Sequence, residues 1–364
     1  MLPRRFEESV PQLGQSARAD QAIRATDGDA LISRISAVNA GYLHDPFASL
    51  IAKAPSSSTT RRVPLINVGT HHRTWALDKL VDSFLESGDK DKARQIVSLG
   101  AGSDTRFWRL MSRTNRPNIS KYVEIDFDDV TSIKARRICM NKTLSAAISS
   151  PLPSSSSSSS DAASSIPAQT KPQVSQGGSR LDTPLYTLLP LDLRIKKDLQ
   201  AQAQENGPLD VLSTLLDPEL PTLFLAECVY CYMQPEESGR VIEWFAAKFK
   251  GKGGCLGVVY EMCGLDDSFG LVMRRNLQAR GIQLPGAVFA NPQAQAERFL
   301  KAGFEKAEGV SLRTIRRDFV PRDELERISK LEMLDEVEEL ELMLDHYCIA
   351  WGSVGLVGET IGLS

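Results

Sequence analysis

The chain has 364 residues, and its 43 lysines and arginines against 46 aspartates and glutamates leave a net charge of −3, with no basic excess to hold a nucleic acid. Hydrophobic residues make up 42%, enough for a sizeable core. Yet no apolar run reaches the ~18 residues of a membrane-spanning helix, and the charged Arg4, Arg5, Glu7 and Glu8 are not followed by the apolar core of a signal peptide.

Residues 1–90 show two helical stretches, at 29–38 and 70–85, on either side of Gly41-Tyr42-Leu43-His44-Asp45-Pro46-Phe47. This segment is expected to cap the ligand edge of a sheet built by the later strands. A short buried-strand pattern at 96–99 then runs straight into Gly100-Ala101-Gly102 and a helix. Glycine lets the backbone turn sharply and approach a ligand closely, and in α/β sheets this turn is where nucleotides bind. A second strand, 122–126, ends in Asp126, where such folds set an acid against a ribose. Asp104 and Thr105 stand where a third glycine would complete a dinucleotide fingerprint, and no G-x-x-x-x-G-K-[ST] occurs. An adenosine ligand without phosphate, S-adenosylmethionine, is therefore the leading candidate.

From 143 to 182 the composition turns to Ser, Pro, Gln and Gly, with an unbroken serine run from Ser154 to Ser160. Such a segment buries too little apolar surface to offset its ordering entropy, and is expected to be a disordered insertion. Beyond it, strand-like runs at 185–189, 222–227 and 256–261 alternate with helical segments, as βα repeats require. Val241, Trp244, Phe245 and Phe249 mark a core-facing stripe on a helix after Pro235. Cys228-x-x-Cys231 resembles half a zinc site, but no second pair or histidine cluster follows. Burial of both thiols, on a strand, is the better reading, and no metal is expected.

After the fifth strand, residues 263–270 and a helix at 271–279 interrupt the pattern. An insertion at a strand's carboxyl end lies over the ligand crevice, so this is a candidate substrate lid. A strand at 304–310 follows. One long helix after Pro321, capped by Asp323, is then expected to carry Leu325, Ile328, Leu331, Leu334, Val337 and Leu340. The last strand runs 346–351, and residues 353–364 form a tail.

Taken together, GYLHDPF, PLINVGTHHRT, VSLGAGSDTRFWRL, KYVEIDF, LPLDLR, PTLFLAECVYCYMQPEES, DDSFGLVMRRNL and LEMLDEVEELELMLDHYCIAW resemble the leucine carboxyl methyltransferases. That family methylates the C-terminal leucine of the type 2A protein phosphatase catalytic subunit. The resemblance implies a Rossmann-like class I methyltransferase: a seven-stranded, mainly parallel sheet with the last strand antiparallel, occupying 91–352. It implies S-adenosylmethionine as methyl donor, the phosphatase tail and active-site face as partner, a methyl ester that regulates holoenzyme assembly, and a cytoplasmic location.

Carried over residue by residue, Arg73 would pair with the cofactor carboxylate. Gly100 and Gly102 would line the methionine part, Asp126 would hold the ribose, Asp192 and Leu193 the adenine, and Glu227 would close the site. Tyr232 keeps the family tyrosine, and Arg34 stands in place of a lysine; both are expected to orient the acceptor. No base role is assigned to His71 or His72. Rival readings are a related methyltransferase acting on a modified tRNA nucleoside or a small molecule, and an idle phosphatase-binding protein. The tRNA group carries a repeat domain that has no counterpart after Trp351.

Overall fold

A computed structural model describes residues 15–52, 61–89, 91–149, 171–194, 208–356 and 361–363. Among the described residues nine strands form one sheet: β1 (Arg94–Leu99), β2 (Ile119–Asp126), β3 (Gln173–Ser175), β4 (Arg180–Asp182), β5 (Tyr186–Pro190), β6 (Thr222–Glu227), β7 (Cys255–Met262), β8 (Lys306–Ser311) and β9 (Tyr347–Val354), in the order β3-β4-β5-β2-β1-β6-β7-β9-β8. The neighbours from β5 to β7 run parallel, while β9 lies antiparallel to both β7 and β8. All seven expected strands are present. The count of seven is corrected by two more, because β3 and β4 form an antiparallel hairpin that extends the edge at β5.

The hairpin comes from the stretch expected to be disordered. Gly177 (φ 66°) and Gly178 (φ 101°) make its turn, and fully buried Leu181 pins it to Leu188 of β5. At the other end of that stretch Lys142–Ile148 is a helix, whose Leu144 and Ile148 are fully buried. The insertion is therefore narrower than 143–182. Its serine run, with the rest of 150–170, lies outside the described residues.

Central strands are apolar on both faces, as a covered parallel sheet demands. Side chains alternate between two cores with period two. Ile96, Tyr122 and Leu225 join one, packed with Leu77, Leu80 and Phe84 of the helix Pro64–Glu86; Val97, Val123 and Phe224 join the other. That helix begins with Pro at its first turn, where a missing N–H costs nothing.

Two expectations near the carboxyl end need correction. The long helix after Pro321 is two, Arg322–Ser329 and Val337–Asp345, and Asp323 sits in the first turn rather than at the cap. In the break between them, Glu332 accepts a hydrogen bond from Asn67 Nδ2 at 2.7 Å. The tail expected from 353 begins later, since β9 continues to Val354, and Trp351 Nε1 donates to the Ile361 carbonyl at 3.2 Å.

Strand order sets the site. From β1 the chain moves outward to β2 and β5 on one side and to β6 and β7 on the other. The crevice at the carboxyl ends of β1 and β6 is thus a topological switch point, where α/β sheets bind ligands.

Candidate active site

A cavity of about 410 Å³ opens at this switch point, and all nine residues singled out in the sequence line it: Arg34, Arg73, Gly100, Gly102, Asp126, Asp192, Leu193, Glu227 and Tyr232. They come from six places in the chain that the sheet's strand order and two N-terminal helices bring together.

The glycine turn leaves β1 with Gly100 at φ 61° and Gly102 at φ 45°, in the left-handed region that side chains disfavour. Space demands glycine there too. A Cβ on Gly100 would lie 2.4 Å from Val229 Cγ2, and one on Gly102 2.4 Å from Asp27 Oδ1. Asp126, at the end of β2, accepts from the Gly102 amide at 2.7 Å through Oδ2 and from the Phe127 amide at 2.7 Å through Oδ1. Burial raises its pKa to about 6, against the lowering effect of those two N–H donors. Each oxygen keeps a further lone pair.

Glu227, at the end of β6, is clamped by two arginines. Arg73 Nε donates to its Oε2 at 2.7 Å, and Arg106 Nη2 to its Oε1 at 2.9 Å. Burial pushes the Glu227 pKa up, but the two guanidinium charges outweigh it and hold the carboxyl below its usual range. Arg73 likewise loses by burial and gains more from Glu227, so its pKa is raised. Its guanidinium stacks 4.5 Å from the centre of the Tyr260 ring, which in turn stacks on Tyr347. With 26% of its side chain exposed, Arg73 keeps donors available to a ligand.

Immediately after Glu227, Cys228 has φ 53°, a conformation costing a non-glycine residue ~1–3 kcal/mol. The chain turns there. The buried Glu261 carboxylate holds the turn by accepting from the Val229, Tyr230 and Cys231 amides at 3.2, 2.8 and 3.2 Å. Cys228 and Cys231 thus sit on a turn, not on the expected strand; Cys231 is buried, while Cys228 lines the cavity. Tyr232 ends the same turn, its pKa pushed up by burial.

Arg34 does not reach into the site as an unpaired cation. Its Nη1 meets Asp45 Oδ2 at 3.1 Å, and buried Asp45 also accepts from Thr105 Oγ1 at 2.5 Å. Asp192 is turned to its own neighbour, accepting from the Arg194 amide at 3.0 Å and pairing with its guanidinium. Leu193 beside it is buried. The guanidinium of Arg194 bridges on to Asp20 of the N-terminal helix Gln15–Asn39, and both Arg24 and Arg194 stack on Phe127.

Sequence reasoning missed Asp27, Asp45 and Arg106. Arg106 is fully buried and ties Glu227 to Asp104 and Asp78; its signal was its place three residues after Ser103 in the glycine loop. Asp27 lies in a helix without an apolar face, so nothing in the local pattern marked it. Of the segment 263–279 expected as a lid, Ser268–Ala279 is a helix, and Leu277 and the following Arg280 line the cavity wall. His71 and His72 are buried outside this cavity: His71 Nε2 meets Glu324 at 2.7 Å and His72 Nε2 meets Arg316 at 3.0 Å.

The model of the leucine carboxyl methyltransferase family matches residues 22–246. The chain belongs to this family. Relatives named leucine carboxyl methyltransferase 1 are 48% identical in Cryptococcus neoformans (all of both chains), 37% in Aspergillus fumigatus (94% of this chain, 85% of the relative) and 32% in Bos taurus (94% and 92%). A solved structure of human N-acetylserotonin methyltransferase in complex with S-adenosylmethionine aligns at a TM-score of 0.36 and 12% identity, over 89% of this chain and 66% of that one. As a member of the family, the chain is an S-adenosylmethionine-dependent methyltransferase.

Proposed function

We propose that the enzyme methylates the α-carboxylate of the C-terminal leucine of the type 2A protein phosphatase catalytic subunit, in the cytosol, and so regulates phosphatase holoenzyme assembly. One observation carries the placement of the chemistry: the glycine turn, Asp126 and the Arg73–Glu227–Arg106 clamp converge on a single cavity.

The residues present fit the methyl donor. Backbone at Gly100 and Gly102, free of Cβ atoms, would lie under its methionine part. Asp126 would accept from its ribose hydroxyls, Leu193 would pack on its adenine with Asp192 at the rim, and Arg73 would pair with its carboxylate, which a guanidinium matches by parallel hydrogen bonds. When bound, S-adenosylmethionine supplies an electrophilic methyl group on a sulfonium. Glu227 holds Arg73 in place.

A C-terminal carboxylate, with a reference pKa of ~3.5, is already ionised at neutral pH and needs no general base. The cavity's own groups agree with that requirement. Glu227 is locked by two arginines, both oxygens of Asp126 accept backbone N–H groups, and neither buried histidine reaches the cavity. What this chain contributes is positioning and exclusion of water, with Tyr232 and Arg34 at the acceptor's side.

Incubation with labelled S-adenosylmethionine and the purified phosphatase catalytic subunit tests the proposal. Base-labile label on the C-terminal leucine is expected; label elsewhere, or none, would defeat it.

A further inference from the structure

The helix Pro64–Glu86 lays one stripe along the cavity: Ile66, Gly69, Thr70 and Arg73, the i, i+3, i+4, i+7 spacing of a single helical face. At 1.5 Å per residue the stripe reaches roughly 10 Å from Arg73 to Ile66. Facing it are Leu312 and Met343, which line the same cavity. Their two segments pack on this helix and on each other. Beyond Arg73 this wall of the cavity therefore forms an apolar arm, in which Thr70 donates its hydroxyl to its own helix at the Ile66 carbonyl (2.8 Å), while Ser33 and Arg34 of the N-terminal helix, packed on the same helix, also line the cavity.

Gly69 is an unfavourable choice inside a helix, and its backbone does not call for glycine, since its φ is not positive. Space explains it. A Cβ at Gly69 would lie 2.9 Å from Met343 Cε and 3.8 Å from Sδ, so glycine keeps the methionine tip from being pushed into the arm. We propose that this arm seats the last side chain of the acceptor, and that Gly69 and Met343 set its size to a branched aliphatic residue. The inference rests on the function proposed above. It adds a reason for choosing leucine: the terminal carboxylate is offered at Arg73's end of the stripe while its side chain fills the arm.

The test uses the full-length enzyme and phosphatase catalytic subunits ending in Leu, Val or Phe, with kcat/KM for methyl ester formation measured on each. In Gly69→Ala the added methyl displaces the flexible end of Met343 into the arm. The Leu-to-Val preference is expected to fall about 10-fold, the scale of one methylene in an apolar pocket, with cofactor affinity by calorimetry unchanged. Met343→Ala opens the arm, and the Phe-to-Leu ratio is expected to rise about 10-fold. Should Gly69→Ala fail to bind cofactor, Met343→Ala alone decides. Unchanged ratios in a cofactor-binding variant, with wild-type enzyme active on the Leu-ended subunit, would overturn the assignment of the arm. Inactivity of the wild type on all three subunits would instead defeat the functional reading.

Discussion

Asp27 reaches from the N-terminal helix to Ser103 in the glycine loop, accepting from its amide at 2.7 Å and from its hydroxyl at 2.8 Å. The same carboxylate occupies the space a side chain on Gly102 would need. The helix therefore braces the turn from outside while Asp126 braces it from the sheet.

Gly102→Ala is accordingly expected to lose cofactor affinity and thermal stability together. The left-handed backbone costs ~1–2 kcal/mol in an alanine, and the clash with Asp27 adds to it. Placed in an Asp27→Ala background, the same substitution should cost less than it does in the wild type, a non-additivity that a double-mutant cycle reads directly. Strict additivity would show that the contact does not constrain the loop.

Arg73→Ala is expected to abolish methyl transfer chiefly by weakening S-adenosylmethionine binding, because loss of a partner to a charged hydrogen bond costs ~1.5–3 kcal/mol. Glu227 retains Arg106, so the fold should survive. Calorimetry on a folded variant is the measurement; unaltered affinity would remove Arg73 from the cofactor site.

Cofactor binding should weaken in mild acid. Burial raises the Asp126 pKa to about 6, and ribose hydroxyls donate to the ionised form. Binding then favours the charged carboxylate, is complete above that pH, and declines as pH falls through it, approaching about tenfold per pH unit. Dissociation constants measured from pH 5 to 8 check the direction; affinity that is flat across this range would separate Asp126 from the ligand.

His71→Ala and His72→Ala should each keep substantial methyl transfer, and a phosphatase tail ending in an amide should be inert. Their cost should appear in folding instead. Burial foremost holds both pKa values below the ordinary 6.5, so the unfolded chain binds more protons below that value. Their contribution to stability is present above pH 6.5 and is lost as pH falls. Denaturant titrations at pH 7.5 and 5.5, wild type against variant, test the sign, and loss of turnover in a stable His71→Ala protein would contradict the base-free reading.

Replacing 150–170 by a short linker is expected to leave melting temperature and turnover nearly unchanged, since loop-closure entropy varies slowly with length. Extending the deletion to 145–179 should be far costlier. It removes fully buried Ile148, a change on the scale of ~2–5 kcal/mol, together with strand β3 and part of the helix Lys142–Ile148. Equal melting temperatures for the two deletions would show those elements to be dispensable.

The parallel strands, the glycine turn at Gly100 and Gly102 and the acid Asp126 were legible in the sequence because each carries a local signature, whereas Arg34, Arg73, Asp192, Leu193, Glu227 and Tyr232 were read only from the family resemblance. A covered strand reads as an apolar run, a ligand turn as Gly-x-Gly, and Asp126 as a carboxylate at a strand end. Several features had no such signature. The β3–β4 hairpin is short and polar, stabilised by one leucine docking on β5, and its composition matched a linker. The break after Ser329 interrupts a perfectly periodic apolar stripe, with Glu332 in the break bonded to Asn67, a residue 265 positions away. Asp27, Asp45 and Arg106 matter because of the polar and charged partners that face them across the fold. Periodicity along one chain encodes which face of an element is buried; the pairing of buried charges depends on which elements meet, and only the tertiary structure decides that.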